Sequence, residues 1–144
     1  MKYKETTNYK YEVAEDYSIP VRIYPKLDLC EPSIEKPILK LSMNGVLTIY
    51  KGYAWDGPSG PTIDTKNFMR GSLVHDALYQ LMRQNKISLE YREYADELLK
   101  KICIEDGMSS FRAGYVFKSV RLFGESSAKP SDKTEQQEKI LEAP

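Results

Sequence analysis

The sequence predicts an α+β fold. An N-terminal antiparallel β region of short strands and a hairpin precedes a three-helix C-terminal half with an antiparallel helix pair. Three observations carry this expectation. The first half alternates apolar and polar residues between Pro20, Pro25, Pro32 and Pro37, which confines it to short or edge strands. Asn44-Gly45 divides two apolar stretches, and both residues tolerate positive φ, the strongest short-range sign of a hairpin. The second half shifts to three- and four-residue apolar spacing with capping residues at the breaks. At 144 residues the chain suits one domain. It is expected over residues 1–124, with a polar tail over 125–144 that is disordered or held by a partner.

Taken in order, Tyr9 to Val13 alternates weakly, and Ile19 to Tyr24 (IPVRIY) alternates clearly. Ile38 to Ser42 and Val46 to Tyr53 form the hairpin arms. The stretch AWDGPSGPTIDT, residues 54–65, holds Gly57, Pro58, Gly60 and Pro61, so no regular element runs through it and a shaped loop is expected. Asp64 or Thr65 can cap a first helix from about Lys66 to Gln84. On it Phe68, Ser72, His75, Tyr79 and Met82 share a face. The link QNKIS is short, so the next helix lies antiparallel. Ser88 caps it, Leu89, Ala95, Leu98, Leu99 and Ile102 form its apolar set, and Gly107 ends it. A third helix runs from Ser109 to Phe123, capped by Ser109 or Ser110 and closed by Gly124. Phe111, Tyr115, Val116, Val120, Leu122 and Phe123 are its apolar contacts. Asp132 and Glu135 make a passable capping pair for a short tail helix.

Charge is balanced at 21 basic and 21 acidic residues, which lacks the signature of a general nucleic-acid binder. Eleven tyrosines against four phenylalanines suit half-buried surfaces and hint at assembly. Cys30 and Cys103 show no metal-ligand spacing and read as reduced thiols. No apolar run resembles a signal peptide or approaches the roughly 20 residues of a membrane span. The expected location is a host cytoplasm, with association to a virion as the alternative.

The single histidine, His75, stands in SLVHDALYQL. If the first two helices pair about QNKIS, Asp96 in YREYADELLKK comes within a turn of it. Asp96 can then hold one ring nitrogen and leave the other free as a base. Asp76 points roughly 100° away from His75 around the helix, toward loop 54–65. Loop carbonyls with one carboxylate form a hard-oxygen environment that suits Ca²⁺.

The pattern G-x-x-G, then H-D-x-x-Y, then A-D on the partner helix resembles the secreted phospholipase A2 superfamily, especially the disulfide-free form built into parvovirus capsid proteins. That resemblance covers residues 53–106. It implies His75 as the water-activating base, Tyr79 and Asp96 as its supports, and a Ca²⁺ site of Asp76 with the carbonyls of Trp55, Gly57 and Ser59. The chain departs from the family in opening with strands and in carrying Asp56 and prolines in the loop. A longer stretch, Tyr53 to Gly124, is similar to a phage and prophage family, domain of unknown function 1353. The matching pieces are D-G-x-S-x-P at 56–61, H-D-x-L-Y at 75–79, R-x-x-A-D at 92–96 and R-x-F-G at 121–124. This second resemblance implies phage origin and no reaction.

Three readings of function follow. One is a Ca²⁺-assisted hydrolase of lipids or other esters. The second is a structural or virion-assembly protein that forms a homo-oligomer or joins phage particle components. There the His/Asp/Tyr network only fixes the helix pair. The third is an inhibitor of a host defence factor. Two local alternatives also stand: Arg92 and Asp96 as a surface i, i+4 pair, and Arg112, Lys118 and Arg121 as a solvated face.

Overall fold

A computed structural model describes residues 1–6, 11–56 and 65–130. The fold is α+β: two antiparallel sheets come first and three main helices follow. One sheet holds β1 (Tyr3–Glu5), β2 (Tyr11–Val13) and β7 (Ala54–Trp55) in the order β1-β2-β7. The other holds β3 (Tyr17–Pro20), β4 (Leu29–Glu31), β5 (Leu39–Leu41) and β6 (Val46–Ile49) in the order β3-β6-β5-β4. Alternation sets the inward face: Leu39, Leu41, Leu47 and Ile49 are fully buried, with Val13 and Val21 beside them.

The hairpin forms, but its turn is longer than Asn44-Gly45 alone. Gly45 N–H donates to the Ser42 carbonyl at 2.9 Å, and only Gly45 takes positive φ, at 78°. A turn over Ser42–Gly45 with the glycine left-handed suits this right-twisted pair. The strand expected over Ile19 to Tyr24 ends at Pro20. Arg22 has φ 57° there, and both Val21 and Arg22 donate to the Gly45 carbonyl instead of extending the ladder. Val21 and Ile23 are buried all the same, so the apolar pattern reported burial and not strand.

The helices are α1 (Lys66–Arg83), α2 (Arg92–Glu105), α3 (Ser110–Phe123) and a short α4 (Glu125–Ala128). Thr65 holds the N-cap position of α1 without a side-chain cap bond, because its hydroxyl bonds Asn67 and Arg112 instead. Asp64 lies outside the described residues. Ser88 caps as expected, but onto a 3-10 turn, Leu89–Tyr91, that leads into α2, and Leu89 is exposed. Asn85 with φ 58° turns the chain inside the link. Gly107, φ 101°, ends α2, and Ser109 caps α3 by accepting from the Arg112 N–H.

α1 and α2 run antiparallel. Arg70 at one end reaches Glu105 and Asp106, and Tyr79 near the other end reaches Arg92. Gly71 makes this approach close, since a Cβ there would come within 2.9 Å of the Cys103 sulfur and 3.0 Å of Leu99. α4 lies in the segment expected to be tail. Ala128 is buried in the main core, and Arg83 donates to the Ser127 carbonyl at 2.8 Å. The capping pair Asp132 and Glu135 falls outside the described residues.

α3 departs most from expectation. Ala113 and Val116 are buried and Val120 packs beside them. Phe111, Tyr115, Leu122 and Phe123 are instead exposed. Its core-facing stripe is narrow, with Ala113 and Val116 clustered with Phe68 of α1 and with Leu99 and Cys103 of α2.

Candidate functional site

The site begins with the spacing of α1. Phe68, Ser72, His75, Tyr79 and Met82 are all buried, as their shared face requires. On α2, Arg92, Asp96, Leu99 and Cys103 share the facing stripe and are also buried. Asp96 therefore arrives opposite His75 with no access to solvent. A buried carboxylate must be matched by donors, and here it has three. Its Oδ1 lies 2.6 Å from His75 Nε2 and accepts from the Tyr79 hydroxyl at 2.6 Å. Its Oδ2 accepts from Arg121 Nη1 at 2.9 Å.

Burial pushes the Asp96 carboxyl upward, but hydrogen bonds from His75, Tyr79 and Arg121 outweigh it and hold it below its ordinary 3.8. An ionised Asp96 only accepts, so Nε2 of His75 carries a proton. In the neutral ring Nδ1 is then a bare lone pair. Burial lowers the His75 pKa, yet the carboxylates of Asp76 and Asp96 overcome it, and the net shift is upward from 6.5. Nδ1 lies 3.9 Å from the Asp76 carboxylate, too far for a hydrogen bond and close enough for its charge to act. Tyr79 is raised by burial first and by Asp96 second, so its hydroxyl stays protonated, donates to Asp96 and accepts from Arg92 Nε at 3.1 Å.

Arg92 and Asp96 do not form the surface i, i+4 pair that stood as the alternative. Arg92 is buried and turns its Nη2 to the carbonyls of Val120 and Arg121, at 2.7 and 2.9 Å, tying the last turn of α3 to Tyr79. The cation on Asp96 is Arg121, from α3. The solvated-face reading thus fails for Arg121. It fails for Arg112 too, which lies over the Phe68 ring and donates to Thr65. Lys118 alone of the three is exposed. Spacing within α1 and α2 gave no sign of the two arginines, because their partners come from another helix. The signal for Arg121 was the R-x-F-G segment. Its glycine has a packing reason: a Cβ on Gly124 would stand 2.6 Å from the Val120 carbonyl and 3.0 Å from the Tyr79 hydroxyl.

Asp76 belongs to a second row of α1, with Ser72 and Gln80 four residues to either side. The chain entering loop 54–65 holds both ends of that row. Tyr53 donates its hydroxyl to Gln80 at 2.9 Å, and Trp55 donates Nε1 to Ser72 at 3.1 Å. Ser72 in turn donates to the Met69 carbonyl, so its hydroxyl is committed and is no nucleophile. Asp76 sits midway, its side chain 41% exposed, and the one basic group near its carboxylate among the described residues is His75, which forms an ion pair with it only when protonated. Trp55, expected as a carbonyl donor, lies in β7 with its indole buried, at the start of the loop. Gly57 and Ser59 lie outside the described residues. The described residues contain no group of three or more His, Cys, Asp or Glu able to hold a metal. The Cys103 thiol is pushed up to about 12, by burial first and by Asp106 second, and is unreactive at neutral pH. Cys30 and Cys103 are both free.

The chain matches no protein-family model, no curated protein and no solved structure.

Proposed function

We propose that this is a phage-encoded hydrolase of lipid or other esters, with His75 as the base that activates water. The observation that supports this most is the division of labour around the imidazole. Asp96, itself braced by Tyr79 and Arg121, takes Nε2. Nδ1 is turned toward the half-exposed carboxylate of Asp76. A base needs one nitrogen oriented and the other available. Asp96 fixes the tautomer and stabilises the imidazolium formed when Nδ1 takes a proton from water. Arg92 prevents Tyr79 from swinging away by holding its oxygen against the end of α3.

The donor chemistry suits a hard cation. Asp76 offers a carboxylate with no basic side chain paired to it among the described residues, beneath the start of a loop able to present carbonyls. Asp76 with the carbonyls of Trp55, Gly57 and Ser59 would hold Ca²⁺. When bound, the ion would polarise the ester carbonyl and offset its developing negative charge.

Turnover of phospholipid and short-chain esters, with and without calcium, tests the reading. His75→Asn should lower turnover by roughly 10²–10⁴-fold. Asp76→Asn should abolish any rise in Tm caused by calcium. No turnover on either ester class together with no calcium shift overturns the proposal.

A second reading is favoured by one observation: Asp96, Arg92 and Arg121 join α1, α2 and α3 at a single buried point. A non-catalytic phage structural protein would need such a clasp for shape alone. His75→Asn that leaves every activity and the assembly state unchanged would favour it.

A further inference from the structure

We propose that the outward face of α3 docks onto an anionic lipid bilayer surface. Phe111, Tyr115, Lys118 and Leu122 recur at three- and four-residue spacing along the face opposite Ala113, Val116 and Val120. Phe111 is 90% exposed, Leu122 75% and Tyr115 50%, and Phe123 at the helix end is 79% exposed. A folded domain scatters single apolar residues on its surface, but an ordered stripe of this kind marks a contact surface.

Charge decides what the stripe contacts. From Ser110 to Phe123 the helix carries no acid; Lys118 stands within the exposed stripe, while Arg112 and Arg121 flank it and turn to Thr65 and Asp96. Of the acids at its borders, Glu105 and Asp106 pair with Arg70 and Glu125 with Lys129, while Glu93 of α2 acts on Arg121 at the flank of the stripe. Lys100 of α2 adds another cation, lying 5.8 Å over the Phe117 ring. Lys118, in the middle of the stripe, has no ion pair among the described residues. A symmetric contact with a second copy would set Lys118 against its own counterpart, with no acid inside the stripe to match it. The partner surface is therefore anionic and accepts protruding apolar side chains.

Shape favours a bilayer over a protein. The stripe is exposed along its length, and two clefts of the described residues lie away from it, one against Ile23, Leu29 and Ile87, the other against Tyr3, Met69 and Arg70. Phenylalanine and leucine beside lysine and tyrosine on one helix form the composition that enters the headgroup boundary, where no shaped counterpart is needed. Docking requires no step of the hydrolysis proposed above, and His75→Asn should leave it intact, so the two ideas fail separately.

Co-sedimentation of the full chain with phosphatidylcholine vesicles, with and without phosphatidylglycerol, tests this. Binding should require phosphatidylglycerol and weaken with salt. Lys118→Glu should weaken it about thirtyfold, from a change of two charge units near the surface. Phe111→Ser with Leu122→Ser should weaken it roughly a hundredfold, from two apolar anchors lost. Equal binding to neutral and anionic vesicles overturns the proposal. So does no vesicle binding by a well-folded chain, including the case in which the double serine variant instead breaks a dimer or a protein complex.

Discussion

The α1–α2 seam and the outward face of α3 are inversions of each other. The seam buries an ionised carboxylate, an imidazole, a phenol and a guanidinium where a helix pair ordinarily packs aliphatic side chains. The α3 face exposes phenylalanine, tyrosine and leucine where a helix ordinarily meets water with charge. The buried polar groups are matched atom by atom: Asp96 has three donors, and Arg92 has the Tyr79 oxygen and two carbonyls. The exposed apolar groups are matched by nothing among the described residues. Substitution in the seam therefore leaves charges and donors stranded inside, while substitution on the face changes only what water touches. Both regions break the rule of apolar inside and polar outside, and such breaks concentrate where a protein does something besides fold.

Asp96→Ala should produce the largest effect. It strands His75, Tyr79 and Arg121 around a buried hole and should cost about 3–5 kcal/mol in urea unfolding. A cost near that of a surface change would dissolve the contrast between the regions. Tyr79→Phe should cost less, about 1–3 kcal/mol, because Arg92 Nε and one lone pair of Asp96 lose a partner while the ring packing remains.

The pH profile sharpens the same contrast. His75 is raised in the folded state, so its stabilisation is complete below 6.5 and is lost as pH rises through the elevated folded value. Asp96 is lowered, so its stabilisation is complete above 3.8 and is lost as pH falls through the depressed folded value. Unfolding free energy should therefore fall off on both sides of a plateau between those limits. His75→Gln should flatten the alkaline limb, and a limb that persists in that variant would assign it to another group. Phe111→Ser with Leu122→Ser should change stability least, within about 0.5 kcal/mol by thermal unfolding. A larger loss would mean that the α3 face is packed in solution.

The α+β order, the hairpin and the caps at Ser88 and Ser109 were legible because each rests on neighbours within a few residues. The pairing of His75 with Asp96 was legible for a related reason. A short link between two helices imposes an inverse register, and one line of arithmetic places the partners. Where expectation and structure part, the missing information is tertiary. The alternation of IPVRIY continues past the strand, since burial of Val21 and Ile23 needs no ladder. The apolar residues of α3 look like core because spacing reports which residues share a face and not which face is covered.

Sequence by itself determined which residues stand together on each element: His75 with Tyr79, Asp76 on a different row, Asp96 with Arg92. Local backbone geometry has fixed periods, so those relations hold wherever the helices lie. Only the tertiary structure decided how charge is distributed over the site. It sent Arg92 away from Asp96 to the end of α3, brought Arg121 in its place, and set Tyr53 and Trp55 over the two ends of the Asp76 row. The reason is physical. A buried carboxylate takes whichever donor the packing brings within reach, and that donor came from a helix twenty-five residues away.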